Sequence, residues 1–125
     1  MISNAIGVDA TMSQIYVHHE INCAPRHWSE VAEQVQNSSH FENADGDAFL
    51  YGIWRSQIGL PRDVLTMISV WSDIKTASLR SDNILSGLKL IKSHTTKLLA
   101  PTLRPKTSEP PVKQGNYAFR WFEIP

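Results

Sequence analysis

Residues 14–22 alternate. Ile15, Val17, His19 and Ile21 fall on one side of an extended chain, and Tyr16, His18 and Glu20 fall on the other. The pattern predicts a strand with one apolar face and one face rich in titratable groups. Pro25 suits a first helical position, where its missing N–H costs nothing. Trp28, Val31, Ala32 and Val35 then keep the i, i+3, i+4, i+7 spacing of an amphipathic helix.

Residues 37–47 are polar and read as a loop, with Ser38, Ser39, Asn43, Asp45, Gly46 and Asp47. Residues 48–58 and 63–71 are rich in aromatic and β-branched side chains, and Gly59 and Pro61 lie between them. This predicts a hairpin. Ser72 or Asp73 is placed to cap a following helix over 74–80. A further helical stretch is expected over about 84–97, with Ile84, Leu88 and Ile91 on one side. Whether 74–97 forms one kinked helix or two is open at this level. Residues 101–115 hold four prolines and read as an extended surface connection. Residues 116–124 alternate again, Tyr117, Phe119 and Trp121 against Ala118, Arg120, Phe122 and Ile124, and are expected to form the last strand.

The resulting order is β-α-β-β-α-β. Two helices can cover one face of a four-stranded antiparallel sheet, and the ferredoxin-like arrangement is the simplest α+β solution. Residues 1–12 show no periodicity and are expected to form an N-terminal arm. Residues 13–125 are expected to form a single domain. Several strands are apolar or aromatic on both sides, while helices bury only one face of a sheet. A second copy of the chain is the economical cover for the other face.

Composition narrows the function classes. At 125 residues the chain is long enough for one core. Its 12 basic and 12 acidic residues cancel, so net charge offers no attraction for nucleic acid or an anionic membrane. No apolar run approaches the ~18 residues of a membrane span. No basic segment followed by an apolar core marks a signal peptide, so a cytoplasmic location is expected. The triplet Asn37-Ser38-Ser39 matches a glycosylation acceptor but reads as polar loop in that setting. The single Cys23 excludes an internal disulfide and any multi-cysteine metal site. It is either a thiol activated near a helix start or a small buried apolar residue.

Tyr51-Gly52-Ile53-Trp54-Arg55-Ser56-Gln57-Ile58-Gly59, then Val70-Trp71-Ser72-Asp73 and Arg80, carry a family likeness, with Trp28 and Tyr117-Ala118-Phe119-Arg120-Trp121-Phe122-Glu123 in support. The chain resembles the NIPSNAP family, within the dimeric α+β barrel superfamily, over about residues 13–124. The resemblance implies a ferredoxin-like protomer whose sheet faces that of a second copy in a homodimer. It carries over no catalytic residues. Relatives in the wider superfamily include small monooxygenases, haem-degrading enzymes and isomerases. The haem-degrading branch uses an Asn on the first strand, a Trp on the third and a His on the second helix. Asn22 and Trp71 echo the first two, but no His follows Trp71 at helical distance and His94 comes late. Haem degradation is therefore not expected.

The candidate chemistry sits on the polar face of the first strand. A carboxylate beside a histidine raises the imidazole pKa into a useful range, so His18 with Glu20 could transfer a proton, with Tyr16 on the same face. The bland alternative is a cross-strand pair of Glu20 with Arg120. Trp54 and Trp71, on neighbouring strands, could wall a pocket for a planar ligand; equally they could anchor a core or an interface. Arg55 and Arg120 could fork a carboxylate or phosphate. His18 and His19 point to opposite faces and make no metal motif. With His27 and His40 in other elements, no metal site is expected. No nucleotide-binding loop or Ser-His-Asp order is legible, so no cofactor is expected.

Two functions of different classes follow. One is a homodimer that binds a small, partly apolar organic molecule in a pocket between sheet and helices, and oxidises or isomerises it. The other is a non-enzymatic interaction module whose aromatics build only core and dimer. Haem binding is a weaker third.

Overall fold

A computed structural model describes residues 14–41, 48–101, 110–111, 115 and 117–121. The expected arm at 1–12 lies outside them, as do most of the proline-rich connection and the end of the expected last strand. The first strand, β1, spans Ile15–Cys23, and the first helix, α1, spans Trp28–Gln36. The hairpin strands β2 and β3 span Ala48–Arg55 and Val64–Trp71. The second helix, α2, is Ile74–Arg80, and β4 is Ile91–Leu99.

These strands form one antiparallel sheet in the order β2-β3-β1-β4, the ferredoxin-like order of an α+β fold. Among the described residues no helix is long and apolar enough to cross a membrane.

The local signals mostly hold. Asp73 caps α2, its Oδ1 accepting the Thr76 backbone N–H at 2.7 Å and its Oδ2 the Thr76 hydroxyl at 3.0 Å. Those hydrogen bonds hold its carboxyl below the usual range. Gly59 takes a positive φ of 97° at the hairpin tip, where a side chain would be strained. Pro25 does not open α1. Arg26 after it adopts φ 70°, which no helix continues, and α1 starts beyond His27.

The fourth strand is the main correction. Residues 84–97 form no α-helix, and 117–121 are not a strand. After α2 the chain makes a 3-10 turn, Ser81–Leu85, and Gly87 at φ 80° ends that path. Ile84, Leu88 and Ile91 do reach the core as an apolar stripe would, but from the turn, the following loop and the start of β4. Thr95 and Thr96 favour the extended state, and β1 offers β4 a whole edge of unpaired backbone groups.

The core fills the space between one face of the sheet and the helices. Val17, Ile21 and Cys23 of β1 pack with Leu65, Met67 and Trp71 of β3, Val31 and Val35 of α1, and Ala77 of α2. Cys23 is fully enclosed. Burial, then the neighbouring Asp63 carboxylate, pushes its thiol up to about 11. It is a packing residue, not an activated thiol.

Candidate functional site

A bulge in β2 decides which side chains meet. Before it, Ala48 and Leu50 pair with Trp71 and Ser69 on the helix-covered face. The register shifts between Leu50 and Gly52, and afterwards Gly52 and Trp54 pair with Ile68 and Thr66. One extra residue reverses the alternation. Trp54 therefore lies on the open face, while Trp71, 3% exposed, is in the core. The two tryptophans do not wall one pocket, contrary to expectation. The same geometry separates Asn22, which shares the open face, from Trp71, so the haem-type pairing is not assembled.

The open face carries the expected β1 group. Tyr16, His18 and Glu20 stand opposite Val70, Ile68 and Thr66 of β3 and Leu99, Lys97 and Thr95 of β4. Across this face lies the segment 117–121. His18 meets Phe119 edge to face at 5.7 Å and Trp121 at 5.0 Å. Trp54 meets Tyr117 at 5.4 Å and Phe119 at 5.2 Å, also edge to face. Lys97 Nζ sits 4.4 Å over the Trp121 ring, a cation–π contact at the far side. Tyr16 and Tyr51 form another edge pair at 5.5 Å. The rings thus hold each other in their preferred geometry.

Gly52 makes this possible. A Cβ there would stand 2.4 Å from Trp54 Cη2, so the indole lies flat over a residue without a side chain. An interior strand glycine marks such a close approach, and that signal was legible in the sequence. Beside the indole opens a cleft of about 230 Å³, lined by Tyr51, Gly52, Ile53, Trp54, Pro111, Gly115 and Tyr117.

His18 is buried beneath these rings. Burial lowers its pKa, and the Lys97 charge lowers it further, while Glu20 opposes both. Its imidazole is therefore neutral at pH 7, with the capacity to accept a proton. Burial, then Tyr51, raises the Tyr16 pKa.

The arginines are not brought together. Arg55 lies 4.6 Å over the Trp28 ring on the helix side, whereas Arg120 is exposed in the segment on the other side. No Glu20–Arg120 ion pair forms. Lys97 was missed because its segment reads as helix, and Tyr51 because only the bulge turns it toward Tyr16. Among the described residues no group of acidic, His or Cys side chains could hold a metal.

A second polar group is sealed under the helices. His19 is fully enclosed. Its Nε2 lies 2.9 Å from Ser69 Oγ, and Trp71 Nε1 donates to the same oxygen at 2.8 Å. His19 Nδ1 and His94 Nδ1 are buried without a hydrogen bond, and the 3.9 Å from His94 Nδ1 to Asp82 Oδ1 is too long for one. Burial, then His94 and His18, lowers the His19 pKa to about 3.

Solved structures show the same architecture. An uncharacterized NIPSNAP-like domain protein from Burkholderia xenovorans superposes with TM-score 0.57 at 17% identity, over 82% of this chain and 97% of its own. A NIPSNAP family protein with unknown function from Agrobacterium tumefaciens gives 0.55 at 16%, over 76% of this chain and 94% of its own. This is the NIPSNAP fold. A second NIPSNAP domain protein from Burkholderia xenovorans gives 0.51 at 10%, over 73% of this chain and 97% of its own. No family profile and no curated protein matches the sequence. At these identities the likeness to NIPSNAP proteins concerns the fold and leaves the chemistry to the residues.

Proposed function

We propose that this chain is a NIPSNAP family member that binds a small, partly apolar planar molecule in the aromatic cleft of the open face and isomerises it with His18 as proton carrier. The observation that carries this reading is the Trp54 indole. It is laid over Gly52, braced edge-on by Tyr117 and Phe119, and open to the cleft. An aromatic face fixed this way stacks a ring at little entropic cost. At about 230 Å³ the cleft is smaller than the roughly 300–1,000 Å³ of drug-sized sites, which points to a ligand of one or two rings.

His18 lies one ring beyond, behind Phe119. His18 does not line the cleft, so the isomerisation needs a ligand that displaces Phe119 and reaches it. The imidazole then takes a proton from carbon next to a carbonyl, and the electron pair moves into the carbonyl as an enolate. The proton returns to a second carbon of the same molecule, so nothing is consumed. Burial, with Lys97 in support, keeps the resting imidazole neutral, and Glu20 stabilises it once charged. Tyr16 and Trp71 lie outside this scheme, and neither Arg55 nor Arg120 anchors the ligand in it.

Quenching of tryptophan fluorescence by one- and two-ring hydroxylated aromatics and cyclic enones tests it. Saturable quenching is expected, weakened at least about tenfold by Trp54→Ala. His18→Ala should keep binding yet stop deuterium uptake from solvent into a bound enone. Binding indifferent to Trp54→Ala would sink the site, and unchanged deuterium uptake in His18→Ala would sink the proton role.

A second reading is favoured by one observation. Tyr117, Phe119 and Trp121 are still 44%, 40% and 53% exposed on their outer sides. Exposed aromatics in a row suit an interaction module in which a second copy of the chain covers the segment. Sedimentation of Trp121→Ser and wild type separates the readings: a dimer lost with the ring, together with no ligand binding by wild type, favours the module.

A further inference from the structure

The overall charge balance hides a segregation. Three connections meet at one end of the sheet. The Ala24 N–H donates to Leu90 carbonyl at 2.7 Å, tying the β1–α1 loop to the start of β4. The Cys23 N–H donates to Asp63 carbonyl at 2.8 Å and the Arg26 N–H to Asp63 Oδ1 at 3.0 Å, tying both to the β2–β3 hairpin. This gathers Arg26, Arg55, Arg62, Lys89 and Lys92, all exposed, from three stretches of sequence. Two acidic residues in the same stretches are engaged locally: Asp63 Oδ1 accepts the Arg26 backbone N–H, and Glu30 lies 2.9 Å from His27 Nδ1.

From the middle of this basic end projects the hairpin tip. Ile58 is 95% exposed and Leu60 44%, next to Pro61. The tip is held in shape, not loose. The Ser56 N–H donates to Val64 carbonyl, the Val64 N–H to Pro61 carbonyl, and the Ser56 hydroxyl to Leu60 carbonyl at 2.9 Å. Ile58, Leu60 and Pro61 thus form a small apolar apex on a braced turn, and an apolar layer that received it would be favoured by its burial.

We propose that this end of the molecule docks on an anionic lipid surface, with Ile58 and Leu60 entering the headgroup–acyl boundary and the collar of Arg26, Arg62, Lys89 and Lys92 meeting the headgroups. Apolar residues at the apex with cations behind them match the layered chemistry of such a surface, apolar below and negative above. A flat acidic protein or a nucleic acid would use the cations but leave Ile58 in water. The surface is separate from the aromatic cleft and does not depend on the function proposed for it.

The test is cosedimentation of the full chain with vesicles of phosphatidylcholine alone, or with about a third phosphatidylserine, at low and at physiological salt. Binding to the anionic vesicles only, weakened by salt, is expected. Each of Arg62→Ser and Lys89→Ser should weaken it about fivefold, and Ile58→Ser on the order of tenfold. These positions are exposed, so the variants keep the fold, which circular dichroism checks. No binding to anionic vesicles at low salt overturns the proposal. So does binding that Ile58→Ser leaves unchanged, or equal affinity for heparin or poly(U), because either result marks a general polyanion surface without insertion.

Discussion

The two faces of this sheet solve the same problem in different ways. The helix face is sealed by aliphatic packing: Val17, Ile21, Met67, Val31 and Val35 are fully buried. The open face is covered by edge-to-face aromatics from a segment without regular structure, and those rings stay about half exposed. Buried polar groups differ accordingly. Beneath the helices His19 is locked to Ser69 with one ring nitrogen unsatisfied, whereas His18 is enclosed by aromatic rings that are themselves half exposed. Aliphatic interdigitation suits permanence. A cover of half-exposed rings suits access, which is why the binding proposed above is assigned to the open face.

The contrast can be broken at its strongest point by acid. The His19 pKa falls from about 6.5 unfolded to about 3 folded, so between those values the unfolded chain binds a proton that the folded chain refuses. Stability is therefore fully present above pH 6.5 and is lost as pH falls, by up to about 1.4 kcal/mol per unit. Urea titrations from pH 7 to 4 should show this slope, and His19→Gln should flatten it. His18, also lowered, adds in the same direction.

Next in size is the aliphatic seal. Ile21→Ala should cost about 2–5 kcal/mol in chemical unfolding, by lost burial plus a cavity. Ser69→Ala strands both His19 Nε2 and Trp71 Nε1 and should cost about 2 kcal/mol. Trp121→Ala on the open face removes only edge contacts and half a buried ring, about 1 kcal/mol. A loss there as large as for Ile21→Ala would mean that the two faces are sealed alike. Smallest in stability but sharpest in spectrum is Gly52→Ala. The new methyl displaces the Trp54 indole, so a red-shifted emission and lost ligand quenching are expected with little change in unfolding midpoint.

Much of this was legible residue by residue. The alternation of β1 places Tyr16, His18 and Glu20 together and His19 with the core, as found. A cap at Ser72 or Asp73, which the structure assigns to Asp73, α2 over 74–80, the hairpin around Gly59 and the ferredoxin-like order also follow from local chemistry. The missed fourth strand shows the limit. Ile84, Leu88 and Ile91 have helical spacing, yet three different elements carry them to one core, because spacing records which residues are apolar and not the path between them. The segment 117–121 alternates like a strand, and its rings do face the sheet. Once β4 holds the edge beside β1, that edge is no longer available to it.

By itself the sequence determined which side chains prefer burial and where the chain must turn, since those preferences act over a few residues. The partners of Trp54 were decided only in three dimensions. A bulge at one position of β2 exchanges the faces of every residue beyond it, and its placement depends on pairing with β3. The basic end was likewise invisible in a chain of zero net charge, because charges from three separate stretches become neighbours only when the sheet brings their loops to one edge.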